Sequence, residues 1–382
     1  MKLFDVYPLY DVTPQRGNDV FVYDTNGDEY LDLYGGHAVI SIGHAHPTYV
    51  ESLTEQIKKL GFYSNAVQNP LQVELAERLG RLSNCEDYHL FLCNSGAEAN
   101  ENALKLASFH TNKSRVIAFK NAFHGRTSAA VAATDNRAIN APINNQHSVT
   151  TFLPLNQLHS LDYELAFGDV CAVILEPIQG VGGLDQPTTE FLQGVAQLCK
   201  KHNAVLIMDE IQSGYGRSGK FFAFQHHNIE PDIITVAKGM GNGFPMGGVL
   251  IHPKFQAKHG MLGTTFGGNH LACAAGLAVL EVIEKENLIE NAAKIATYFK
   301  EKAKGINSLQ QIKGRGLMLG MEFEQAISEI RKALIYEKHI FTGGSANKNL
   351  LRILPPLTIK KHHIDQFFTA LTDVLKNQKH NE

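Results

Sequence analysis

Apolar positions change their period along the chain, and each change predicts a different kind of element. Residues 20–23 are apolar, Thr25-Asn26-Gly27-Asp28 carries an Asn-Gly turn signal, and Tyr30, Leu31 and Leu33 resume beyond it, which predicts a β-hairpin. The spacing then lengthens to that of helices. Pro47 opens one whose apolar face is Val50, Leu53, Ile57 and Leu60, closed by Gly61, and Pro70 opens a second with Leu71, Leu75, Leu79 and Leu82. From residue 89 short apolar runs at 89–93, 116–119, 172–175, 204–208, 233–237 and 248–251 alternate with helical or looped stretches. These runs are too continuous for strands with one wet face. They predict an α/β fold in which a mostly parallel sheet is flanked by helices.

A long Ala/Leu-rich helix over about 271–285 leaves this region. Beyond it, a helix to about 304, a strand at 316–323, a helix near 327–337, a strand at 351–354 and a terminal helix from His363 predict a small α+β domain. The expected division is an N-terminal segment, 1–45, packed with the small domain; a large domain, 46–280; and a small C-terminal domain, 281–382.

Composition narrows the function. With 44% hydrophobic and 19% charged residues the chain is globular, neither disordered nor coiled-coil. Lys+Arg 35 against Asp+Glu 38, with no block of like charge, gives no support to nucleic-acid or anionic-membrane binding, so small molecules or copies of itself are the expected partners. Five cysteines without a C-x-x-C pair, no signal-like N-terminus and no run of about 18 apolar residues predict a cytoplasmic protein. The 18 histidines lack the i, i+4 spacing of helical ligand pairs, and no metal is expected.

Gly214-Tyr215-Gly216-Arg217-Ser218-Gly219 matches G-x-G-x-x-G, and with Lys220 it begins a P-loop. Phe221 stands where a P-loop needs a hydroxyl, and Asp209 and Glu210 precede the glycines where a pyrophosphate would have to settle, so nucleotide binding is rejected.

A Schiff-base cofactor of the pyridoxal phosphate type needs an amine, an anion for its ring nitrogen, a stacking surface and a phosphate cradle. Lys238 ends the apolar run 233–237, where poor solvation of an ammonium favours the nucleophilic amine, although a strand-end lysine also simply snorkels into water. Asp209 ends the run 204–208, 29 residues earlier, as neighbouring strand ends of one sheet would; it can equally be a turn cap. Ser95, Gly96 and Ala97 open a helix and offer an anion site, but Ser95 with Glu98 is also a capping box. Phe123 can stack on a ring and Arg126 can clamp a carboxylate. Arg352, inside an apolar strand, needs an anion, from the protein or from a substrate.

Together these segments resemble the class III pyridoxal-phosphate aminotransferases of fold type I, most closely the N-acetylornithine aminotransferases. The resemblance runs from Gly43-His44-Ala45-His46-Pro47 through residues 95–101, Phe123-His124-Gly125-Arg126, Glu176-Pro177-Ile178-Gln179-Gly180, Asp209-Glu210-Ile211-Gln212, 237–243, 263–269 and 352–356. It implies that Lys238 holds the cofactor covalently and moves the proton, that Asp209 pairs with the ring nitrogen and Gln212 reaches the ring hydroxyl, and that Phe123 and Ile211 sandwich the ring. Gly96 and Ala97 would hold the phosphate, joined by Thr265 from the second subunit of a homodimer. Arg126 would bind the remote carboxylate of the donor, Arg352 the α-carboxylate of glutamate or 2-oxoglutarate, and Thr264 would lie near the acyl group. The implied reaction moves the δ-amino group of an N-acylated ornithine to 2-oxoglutarate in arginine biosynthesis. Ornithine and 4-aminobutyrate aminotransferases are the alternatives.

One departure matters. After Glu176-Pro-Ile-Gln-Gly the family usually has a glutamate that pairs with the arginine matching Arg352; this chain has Val181. The expected consequence is room, and one fewer repelling charge, for a donor carrying an extra carboxylate, such as N-succinylornithine. His270, where proline is usual, and Ile40, where a polar residue is usual, have no assigned consequence.

Overall fold

The structure is a computed structural model that describes residues 1–145 and 149–379. Its centre is a seven-stranded sheet in the order His89–Cys93, Gly247–Ile251, Ile233–Val236, Val205–Asp209, Val170–Leu175, Arg115–Phe119, Thr150–Leu153. Every pairing is parallel except the two made by Gly247–Ile251, which runs against both neighbours. Val170–Leu175, Val205–Asp209 and Ile233–Val236 are buried along their whole length, as continuous apolar runs covered on both faces require. The strand Thr150–Leu153 escaped the sequence reading because its burial is partial and its pattern short.

Two features set the site at the carboxyl ends of these strands. Gly247 allows the turn before the next helix to close on the sheet, since a Cβ there would sit 2.8 Å from the Ser95 carbonyl oxygen. The helix Gly96–Thr111 then buries Ala99, Ala103 and Ala107, small residues that let it lie close beneath the sheet. Helix His270–Lys285 is buried along most of its length and packs against Pro47–Lys59 and Pro70–Ser83.

The N-terminal hairpin, Phe21–Asp24 with Glu29–Asp32, gains an earlier strand, Pro14–Asn18, and a parallel partner from the other end of the chain, where Ile340 faces Leu31 and Phe341 faces Asp32. A third sheet, Leu309–Arg315, Met318–Phe323 and Leu350–Ile353, is antiparallel. Its middle strand starts two residues later than the expected 316. Gly316, at φ +57°, makes the turn of a hairpin whose first strand the sequence reading missed, and Gly314, at φ +85°, pairs with Leu319 just before it.

The rejected glycine motif is part of the scaffold. Arg217 is buried in it and donates to the carbonyls of Pro355 (2.5 Å), Leu317 and Ile40, joining the loop to the C-terminal sheet. The expected apolar face of Pro47–Lys59 is only partly covered within this chain: Leu53 is half-buried, while Val50, Ile57 and the following Leu60 are exposed.

Candidate active site

Between the strand ends lies a cavity of about 670 Å³ whose walls include Lys238, Asp209, Phe123, Ile211, Gln212, Ser95, Gly96, Ala97, Arg126 and Arg352. Segments far apart in the chain meet here because the register pairs Asp209 with Thr235, three residues before Lys238.

Lys238 follows Ala237 out of a fully buried strand and holds φ at +44°, a left-handed conformation that costs a non-glycine residue about 1 kcal/mol or more. Its ammonium makes no hydrogen bond among the described residues. Burial, helped by the Arg352 charge, holds its pKa below the ordinary lysine range against the pull of Asp209 and Glu176. A lysine snorkelling into water would show none of these features.

Asp209 is buried and heavily held. Its Oδ2 accepts from Asn100 Nδ2 (2.8 Å) and lies 2.7 Å from His124 Nδ1, and its Oδ1 accepts from the Ile211 N–H (3.1 Å). Asn100 is fixed in turn by Thr235, whose hydroxyl donates to its Oδ1 at 2.8 Å. Asn100, Thr235 and His124 were given no role in the sequence reading. The available signals were a polar residue on the alanine face of a helix and a lone threonine in an otherwise aliphatic strand.

Ser95 is the N-cap of Gly96–Thr111, accepting from the Glu98 N–H (3.2 Å), while the Glu98 carboxylate turns back to accept from the Asn94 N–H (2.8 Å). Half of the capping box is therefore present, and the Glu98 carboxylate bonds one residue upstream of the N-cap. That bond draws the negative charge of Glu98 away from the Gly96 and Ala97 N–H groups, which keep no partner within the helix. Ile211 packs on Gly96 so closely that a Cβ there would sit 2.8 Å from its side chain. The Gln212 amide donates to the His37 carbonyl (3.0 Å) and leaves its Oε1 buried without a donor.

Glu176, also unassigned from sequence, accepts from the Phe123 N–H (3.0 Å) and the Gly180 N–H (2.9 Å), tying Phe123 to the strand end. Burial, reinforced by Asp209, pushes its pKa up to about 7. Arg352 is buried and donates to the carbonyls of Gly344 (2.5 Å) and Gly180 (2.8 Å); among the described residues no carboxylate pairs with it. The protein thus supplies carbonyl dipoles rather than the counter-ion its burial calls for. Val181 lines the same cavity. Arg126 is exposed at the cavity wall and makes no ion pair among the described residues. Thr264 and Thr265 do not line the cavity in the single chain: Thr264 accepts from Asn94 Nδ2 (3.1 Å), and Thr265 is exposed.

The family profile described as Aminotransferase class-III matches residues 6–375. The chain belongs to the class III aminotransferases. The chain is 40% identical to the acetylornithine aminotransferase of Aquifex aeolicus, over 98% of this chain and 99% of the relative. It is 39% identical to that of Bacillus subtilis, over 98% and 97%. Among solved structures, the ornithine aminotransferase of Toxoplasma gondii superposes with a TM-score of 0.91 at 27% identity, covering 98% of this chain and 93% of that one. The N-acetylornithine aminotransferase of Stenotrophomonas maltophilia gives 0.83 at 31%, covering 98% of both. This aminotransferase is a pyridoxal-phosphate enzyme of fold type I, and its cavity fits the cofactor: among the described residues, a lysine without a partner, a carboxylate fixed by three donors, a helix start with free N–H groups, and a buried amide oxygen on Gln212 lacking a donor.

Proposed function

We propose that this aminotransferase moves the δ-amino group of an N-acylated ornithine to 2-oxoglutarate, in arginine biosynthesis. The observation that carries this reading is the pair of arginines, Arg126 and Arg352, facing one cavity with no ion-pair partner among the described residues, beside full-length likeness to proteins named acetylornithine aminotransferases. Pyridoxal phosphate, when bound, supplies an electrophilic aldehyde and an electron sink for the amine-bearing carbon.

In this reading Lys238 attaches the cofactor and, once its amine is free, carries the proton between the reacting carbons; burial, which lowers its pKa, favours the neutral amine that can accept one. Asp209 holds the ring nitrogen protonated, and each pKa unit it contributes is about 1.4 kcal/mol in favour of the cationic ring. Asn100 and His124 keep its carboxylate oriented. Phe123 and Ile211 enclose the ring, Gln212 meets the ring hydroxyl, and Ser95, Gly96 and Ala97 take the phosphate. Arg126 binds the donor's carboxylate remote from the amine, and Arg352 binds the α-carboxylate of glutamate or 2-oxoglutarate.

Arg352→Gln is expected to raise KM for 2-oxoglutarate by about 30- to 100-fold, the loss of a charge-assisted pair worth about 2–3 kcal/mol, with a smaller change in kcat. Steady-state kinetics at varied 2-oxoglutarate check it. Val181 and the absence of a carboxylate on Arg352 favour a donor bearing an extra carboxylate. Comparing kcat/KM for N-succinylornithine and N-acetylornithine tests this, with succinyl expected to be the better donor; equality or an acetyl preference counts against it. Including ornithine and 4-aminobutyrate as donors tests the wider reading, and a preference for either overturns it.

The working form is a homodimer in which Thr265 reaches the partner's cofactor phosphate and Thr264 the acyl end of its substrate. Support comes from apolar surface that a monomer leaves wet: Val50, Ile57, Leu60, Phe62 and, beside Thr265, Phe266, whose ring lies 5.5 Å from that of Phe62. Five free, buried cysteines suit a reducing compartment, the cytoplasm; among the described residues no helix is long and apolar enough to cross a membrane.

A further inference from the structure

Four consecutive residues, Gly35 to Ala38, hold φ at 55°, 54°, 68° and 63°, a left-handed turn. Glycine adopts this backbone freely, whereas His37 and Ala38 do so at a steric cost. The result is to set His37 in the wall of the active-site cavity, with its carbonyl receiving the Gln212 amide at 3.0 Å. The Tyr34 hydroxyl lies against Nδ1 of His37 and 3.2 Å from Nε2. The Tyr34 ring covers Gly343, where a Cβ would sit 2.7 Å from it, and Gly343 exchanges both backbone hydrogen bonds with Arg352, at 2.9 and 2.8 Å. Tyr34, His37 and Arg352 are therefore fixed in one frame.

The charges around this frame are one-sided. Partial burial, with Arg352, Lys238 and Arg331, holds the His37 pKa below the ordinary histidine range, so the imidazole is neutral at pH 7. The acid bearing on Arg352, Glu176, is already occupied by two backbone N–H groups. Burial raises the Tyr34 pKa, which keeps its proton on the phenol, so that hydroxyl can donate to either ring nitrogen it reaches; donation to Nδ1, the nearer, would place the imidazole hydrogen on Nε2.

We propose that His37 is a specificity-determining residue: its ring N–H, oriented by Tyr34, gives the carboxylate received at Arg352 a second donor. The proposal rests on the reading that Arg352 binds a substrate carboxylate. A neutral donor adds direction without adding charge, so it rewards a carboxylate in the right place rather than any anion.

Calorimetric titration of the holoenzyme with glutarate, an unreactive five-carbon dicarboxylate, tests it without needing a turnover donor. His37→Phe is expected to weaken glutarate binding about tenfold, as loss of one such hydrogen bond would. His37→Gln, which keeps an N–H donor, should stay within about threefold of the native protein, and Tyr34→Phe should fall between the two, all with the native cofactor absorbance. Native affinity in His37→Phe overturns the proposal. So does an equal loss in His37→Phe and His37→Gln, which a purely structural role transmitted through Gln212 would produce. Failure of the native enzyme to use N-acylornithines would instead sink the donor assignment and leave the glutarate result to judge His37.

Discussion

Lys238→Ala is expected to lower kcat/KM by about 10⁵-fold or more, the scale at which loss of a covalent catalyst is measured in other enzymes. Three features of the residue support so large a figure. It stands at the end of a buried strand, it takes a left-handed φ of +44°, and its ammonium has no hydrogen-bond partner among the described residues. A structural lysine would need none of these, whereas an amine meant to form and break a bond needs them all: a fixed position, a depressed pKa and a free lone pair. The variant should also lose the absorbance of covalently held cofactor while melting close to the native temperature, because a buried unpaired cation is removed rather than a packing group. Steady-state kinetics, an absorption spectrum and a thermal melt separate these effects. Retained activity would remove Lys238 from the reaction.

Asp209→Ala carries the second large effect, in both rate and stability. The rate should fall about 10³-fold or more, since the ring nitrogen loses the anion that keeps it protonated and about 1.4 kcal/mol accompanies each pKa unit lost. Stability should fall by roughly 3 kcal/mol, because Asn100 Nδ2 and His124 Nδ1 lose a shared acceptor in a closed core. His124→Phe separates the two roles: it leaves the carboxylate in place and removes one of its three donors, so its rate loss should be much smaller, about tenfold. Chemical denaturation and kcat on the two variants check both figures. An Asp209→Ala enzyme with native kcat would leave the carboxylate a merely structural acceptor.

The elements that carry this chemistry were legible because the physics that forms them is local. Runs such as 172–175 and 204–208 are apolar without interruption, which only a strand covered on both faces tolerates, and each ends in a residue too costly to bury without purpose. What escaped was set by distant partners. Asn100 and Thr235 look like tolerated polar residues until the fold joins them to Asp209. The strand Ile340–Phe341 is two residues long and exists because Leu31 and Asp32 are there to pair with it. The helix Pro47–Lys59 was read correctly as amphipathic, yet periodicity could not say that Val50, Ile57 and Leu60 on its apolar side would stay uncovered in a single chain. The capping reading of Ser95 and Glu98 and the anion-site reading proved compatible, because the same turn that satisfies Glu98 frees the N–H groups beside it.

The most direct measurement is borohydride reduction of the purified enzyme followed by peptide mass analysis. The account predicts one added phosphopyridoxyl group, on the peptide carrying Lys238 and on no other lysine, with permanent loss of activity. An unmodified Lys238, or a label on a different lysine, would contradict it.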